Sequence, residues 1–254
     1  MAAVPETRIF DDLRGARRRG ELAAYFQPQV ALPGREVVGV EALARWNHPE
    51  FGMLTPSAFI PIAESAGLIG ELGHHILELA VRRVAAWRTR GLHLDLAVNV
   101  SPSQLGAEGY CEDVSTVLER SGLPPQSLTL EITETQPIAD LSAVVKCLEH
   151  ARDLGIGVSI DDFGSGHSSL EQFRSLPATE LKIDQSIIQS AEDDAIAQLG
   201  GVLDEARHRG LRIVAEGVET LEQLALAVRL GCHRAQGYLI GAPMDATALV
   251  RSLG

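Results

Sequence analysis

Cysteine is scarce in this chain of 254 residues: Cys111, Cys147 and Cys232 are odd in number, far apart and without CxxC spacing. Neither a disulfide framework nor a zinc ribbon is expected from them, and a reducing, cytoplasmic setting fits. Long apolar runs are missing too. None approaches the roughly 18 to 20 residues that span a bilayer, and the opening MAAVPETRIFDDLRGARRRG has no secretory h-region, so membrane insertion is not expected. Positive charge is short: 22 Lys and Arg stand against 34 Asp and Glu, a formal net charge of −12. Long nucleic acid is held by cationic neutralisation of phosphates, which argues against such a partner. A small anionic ligand stays compatible when metal ions or a few Arg and Lys sit in its pocket. The basic cluster Arg14, Arg17, Arg18 and Arg19 reads as a solvated helix face. No Pro-, Gly- or Ser-rich linker divides the chain, so one domain is expected.

What is present is a rhythm. Short β-rich runs alternate with longer amphipathic stretches: AYFQPQV (24–30), VVGVEALARW (37–46), LDLAVNV (94–100), LTLEIT (128–133), GVSID (157–161), ELKID (180–184), RIVAEG (212–217) and AQGYLIG (235–241). Between them, Thr55-Pro56 and Ser101-Pro102 read as helix starts, with Gln104 completing a capping box. Gly91, Gly122, Gly155, Gly210 and Gly231 fall where helices should stop. Eight strands is the number of an α/β barrel of about 250 residues. Only PGRE separates the first two runs, too short for a parallel crossover. The expectation is a modified TIM-type (β/α)8 barrel with one antiparallel strand.

Polar residues recur at one place, the C-terminal strand ends, where barrel enzymes keep their sites. Glu41 closes VVGVE, Asn99 closes LAVN, Glu131 interrupts LTLEIT, Asp161 and Asp162 end GVSIDD, Glu216 ends RIVAE, and Gln236 opens the last strand. Carboxylates converging in a barrel mouth lose hydration and repel one another, so something positive must balance them. Oxygen donors without Cys or His suit hard divalent cations such as Mg²⁺ or Mn²⁺, and the adjacent Asp161 and Asp162 suit a two-ion site. Lys182 should face the mouth, because alternation turns Leu181 and Ile183 the other way. There it can hold a water, with Glu216 as general base. The segment DDFGSGHSSL lacks the Lys-Ser/Thr ending of a phosphate loop and reads as a mobile flap, with Glu134 as its anchor.

At these residues the chain resembles the EAL domain family of bacterial cyclic di-GMP phosphodiesterases. The motifs are Glu41-Ala42-Leu43 within GVEALARWNHP, NVSPSQL (99–105), LEITET (130–135), SIDDFGSGHSSL (159–170), LKIDQS (181–186), VAEGVET (214–220) and AQGY (235–238). The similarity starts near Leu13, leaving residues 1–12 as an N-terminal extension and 13–254 as the domain. It implies hydrolysis of cyclic di-GMP to linear pGpG with Mg²⁺ or Mn²⁺, two ions being expected. By motif position it implies Glu41, Asn99, Glu131 and Asp161 as ligands of one ion, and Asp161 with Asp162 as ligands of the second. Lys182 and Glu216 match positions that handle the attacking water. Gln27, Arg45, Glu219 and Gln236 match substrate-contacting or supporting positions, and a homodimer is implied. His167, Ile187 and Ile240 stand where the family has aromatics. The alternative is a non-catalytic cyclic di-GMP receptor acting through a protein partner; such receptors lack metal-site residues, and none is missing here.

Overall fold

The connector PGRE acts as its length requires: β1 (Leu22–Ala31) and β2 (Val37–His48) form an antiparallel hairpin, with Gln27 opposite Glu41. The computed structural model describes residues 6–133, 140–164, 170–190 and 193–253. A short β3 (Gly52–Leu54) pairs with the far end of β2, outside the barrel. The remaining strands are β4 (Asp95–Asn99), β5 (Leu128–Thr133), β6 (Gly157–Phe163), β7 (Glu180–Ile183), β8 (Arg212–Ala215) and β9 (Arg234–Gln236). From β2 through β4 to β9 each barrel strand is parallel to the next, and β9 closes antiparallel on β1. Among the described residues the sheet is therefore a closed eight-stranded barrel with β1 reversed, and β3 attached outside.

Alternation sorts the side chains. Phe26 points outward, edge-on to Trp87 at 4.9 Å, beneath the long helix Ile69–Arg88. Its neighbours Tyr25 and Gln27 lie on the opposite, inner face. A second apolar cluster gathers Ile9, Leu13, Trp46 and Phe59 between helix Glu6–Ala16, helix Pro56–Ser65 and the end of β2. Helix Glu6–Ala16 crosses the expected extension boundary; burying Ile9 and Leu13 contributes roughly 3–6 kcal/mol together. Of the basic cluster, Arg17 faces Glu71 and Glu78, and Arg19 pairs with Glu21 at 2.6 Å. Among the described residues no helix is long and apolar enough to cross a membrane.

Two expectations need correction. The last strand stops at Gln236 rather than at 241, because the chain turns at Gly237: the Ile240 and Gly241 N–H groups donate back to the Gly237 carbonyl and the Leu239 N–H donates to Val218 O. Thr55 does stand at the N-cap before Pro56, as expected, with its hydroxyl on Ser57 rather than on a helix N–H. The cysteines are not all free: Cys111 and Cys147 form a disulfide, and only Cys232 is a thiol. Spacing concealed the pair because the crossovers before and after β5 lay helix Tyr110–Ser121 beside helix Leu141–Asp153, bringing residues 36 apart to a Cα separation of 5.9 Å.

Candidate active site

Strand parity decides which side chains reach the barrel axis. Glu41 lies level with Ala97 on β4, Asn99 with Glu131 on β5, and Glu131 with Ser159 on β6, so one inner face carries them all. β6 then breaks the rule. Ile160 pairs with Leu181 and Phe163 with Ile183, so β6 advances three residues while β7 advances two. The extra residue is a bulge centred on Asp162, whose φ of 57° costs about 1–2 kcal/mol for a side chain other than glycine. It lets Phe163 turn outward onto Phe173 while Asp161 and Asp162 both open into the mouth. The Asp162 N–H donates to Asp161 Oδ1 at 2.9 Å, fixing the turn.

Lys182 is the hub. Its fully buried Nζ lies 2.7 Å from Glu216 Oε1, 3.0 Å from Asp161 Oδ1, 3.1 Å from Glu131 Oε1 and 3.5 Å from Glu41 Oε2. Four carboxylates thus share this one ammonium, and Asp162 stands beside them within its field but without a contact to it. Burial alone would lower the lysine's pKa, but the charges of Asp161, Glu131, Glu216 and Glu41 outweigh it and hold Lys182 well above its usual range. The carboxylates separate according to their donors. Glu41 is buried, which raises it, yet Lys182 and hydrogen bonds from Gln236 Nε2 (2.5 Å) and Asn99 Nδ2 (2.6 Å) bring it below the ordinary value. Glu131, wholly buried, receives no well-aligned hydrogen bond at either oxygen; the 3.1 Å approach of Lys182 is Coulombic only. Burial, with Glu41 and Asp161 adding repulsion, pushes it far up despite Lys182. Glu216 is raised by burial and by Asp161, and Asp162 is pushed up to about 6 by burial and by Asp161.

Gln236 also donates to Gln27 Oε1 (3.0 Å) and accepts from Gln29 Nε2 (2.9 Å), so a glutamine relay from β1 and β9 orients the support of Glu41. Two cavities meet at Glu41, Asp161 and Asp162. A polar one of about 270 Å³ runs past Asp184, Glu216 and Glu219, and an apolar one of about 610 Å³ runs past Pro56, Ile60 and Leu72. One carboxylate oxygen each from Asp161, Asp162 and Glu216 lie within 4.8 Å of one another. This donor set fits hard divalent cations: the donors are carboxylate oxygens, Glu131 receives no well-aligned hydrogen bond, and a single ammonium faces four acids, two of which burial and neighbouring carboxylates keep raised for want of more positive charge.

An EAL domain model matches residues 11–243. The chain belongs to the EAL domain family. The EAL domain described here is 41% identical over 255 residues to the bifunctional diguanylate cyclase/cyclic di-GMP phosphodiesterase MucR of Pseudomonas aeruginosa, covering 99% of this chain and 37% of that protein. It is 40% identical to the cyclic di-GMP phosphodiesterase RocR of the same organism, covering 93% of this chain and 60% of RocR. The chain thus spans between about a third and three-fifths of these relatives' lengths. A solved structure described as the PaMucR phosphodiesterase in complex with c-di-GMP superposes with a TM-score of 0.88 at 41% identity, covering 95% of this chain and 99% of that one.

Within this EAL domain the structure gathers Gln27, Glu41, Asn99, Glu131, Asp161, Asp162, Lys182, Glu216 and Gln236 around one axis. Glu219 is exposed on the rim of the polar cavity, within 3.4 Å of Gln189 Nε2. Arg45 lines neither cavity; its guanidinium lies over the Tyr25 ring at 5.6 Å. Glu134, His167 and the flap core at 165–169 fall outside the described residues. At the flap's start Gly164 (φ 101) faces the buried Ile187, whose Cδ1 would meet a Cβ at 3.1 Å. Two buried participants escaped the sequence reading. Asp184 lines the polar cavity, adds repulsion at Asp162 and accepts from the Ser186 N–H and hydroxyl. Gln29 anchors the relay. Both carried a signal: Gln29 stands two residues along β1 from Gln27, and Asp184, just past the end of β7, two residues on from Lys182.

Proposed function

We propose that this chain hydrolyses one phosphodiester of cyclic di-GMP to linear pGpG, using Mg²⁺ or Mn²⁺, two ions in all. The observation that carries the reading is the charge imbalance: Glu41, Glu131, Asp161 and Glu216 gather on one buried lysine with Asp162 beside them, and Glu131 receives no well-aligned hydrogen bond. The named activities of MucR and RocR support the substrate. Glu41, Asn99, Glu131 and Asp161 would hold one cation, and Asp161 and Asp162 the other. When bound, such cations polarise a phosphoryl oxygen and make water more nucleophilic.

The chain's own groups do the rest. Asn99 and Gln236 keep Glu41 ionised and aimed. Glu216, raised by burial, is poised to accept a proton from the attacking water, while Lys182 stabilises the charge that develops. Gln27, Arg45, Glu219 and Gln236 would contact or support the dinucleotide, and Glu134 would anchor the flap. The reading includes a homodimer in a cytoplasmic setting, the dimer being checked by sedimentation. Purified protein incubated with cyclic di-GMP and either ion is expected to release pGpG; an inert mixture with both ions overturns the assignment.

The pH dependence has a definite sign. A carboxyl group raised in the fold binds its proton more tightly there than in the unfolded chain. The contribution of Asp162 to metal-free stability is therefore full below its ordinary value of 3.8 and is lost as pH rises through about 6. Cation binding needs the ionised form and runs the other way. The rise in melting temperature caused by Mn²⁺ is expected to be small near about pH 5 and full by about pH 8, with turnover following it. Scanning calorimetry with and without Mn²⁺ checks this, and a larger effect at acid pH contradicts it.

A further inference from the structure

We propose that Cys111 and Cys147 form a reversible thiol–disulfide switch that sets the stiffness of the frame around β5, the strand that carries Glu131. The bond joins helix Tyr110–Ser121, which leads into β5, to helix Leu141–Asp153, which follows it. Helix Pro102–Leu105, just beyond Asn99, packs on both of these helices. The staple therefore ties together the segments that flank Asn99 and Glu131, and no residue of the barrel mouth belongs to it.

The two sulfurs differ in access. Cys111 is buried at 6% exposure, whereas Cys147 is half-buried on its helix. Exchange therefore begins at Cys147. An external thiolate attacks its Sγ, the protein S–S bond breaks, and Cys111 leaves as a thiolate that takes up a proton. A second external thiol displaces the first from the mixed disulfide. The protein gains two electrons and two protons as thiols, and two small thiols become one small disulfide; re-oxidation by such a disulfide reverses each step. Cys232 stays out of the exchange, because burial raises its thiol to about 12.

The decisive experiment equilibrates the folded chain in glutathione buffers from fully reduced to fully oxidised, alkylates a quenched and denatured portion, and maps modified cysteines by mass spectrometry. After buffer exchange, the remainder is melted with and without Mn²⁺. The pair is expected to pass from two labelled thiols to none while the protein remains folded, with Cys232 labelled throughout. Melting should fall by roughly 5–10 °C on reduction. Half-saturation of the Mn²⁺-dependent rise in melting temperature should move to roughly two- to fivefold higher Mn²⁺ in the reduced form. Cys147→Ser should melt alike in every buffer. Two thiols at every ratio, a bond that opens only on unfolding, or equal melting of the two forms overturns the switch. The Mn²⁺ arm rests on the proposed metal site: no Mn²⁺ effect in either form counts against that site, whereas an equal effect in both counts against its coupling to the staple.

Discussion

Lys182→Met is expected to destabilise the metal-free protein by about 3–5 kcal/mol, because it strips the shared cation from the buried Glu41, Glu131 and Asp161 and from the part-buried Glu216. For a chain of this size that lowers the melting temperature by roughly 10 °C. The loss should grow with pH, since Glu131 and Glu216, raised by burial, ionise against one another once the ammonium is gone. Turnover should fall about 10²–10³-fold even where added Mn²⁺ restores the melting temperature. Urea unfolding at several pH values, paired with pGpG release, checks both effects. A variant as stable as the parent at neutral pH would mean that the acids are already protonated and that the lysine balances nothing.

Asp161→Asn is expected to act in the opposite way on the fold and in the same way on turnover. Asp161 is among the repulsive charges on Glu131, Asp162 and Glu216, so neutralising it relieves three neighbours while weakening one contact to Lys182. The metal-free variant should melt within about 3 °C of the parent or above it. Its Mn²⁺-dependent rise in melting temperature should vanish, and turnover should drop on the order of 10³-fold. Retained turnover would remove Asp161 from the chemistry. A large loss of stability would show that its contact with the lysine outweighs the repulsion.

The strand-end acids could be read from the sequence because a parallel barrel aligns the C-terminal ends of its strands, so residues far apart in the chain share one address. The same regularity placed Lys182 inward, between two outward apolar neighbours. Parity failed where the backbone departs from it. Strict alternation on GVSIDDF would put Asp161 and Phe163 on one face, and the bulge at Asp162 is not encoded by a glycine that would announce it. The disulfide was illegible for another reason: it depends on which helices lie side by side, and spacing along the chain does not carry that. Asp184 and Gln29 were visible as periodic partners, but each sits beside a residue that already explained its strand.

The reversed first strand has a further effect. In a barrel whose strands all run alike, the chain enters at the floor, away from the chemistry. Here Leu22 stands opposite Trp46, beyond Glu41 on the roof side, and the helix Glu6–Ala16 rests against the helix whose Pro56 and Ile60 wall the larger cavity. A pull or twist on the first helix therefore bears directly on the wall of the larger cavity and on the roof-side end of β2.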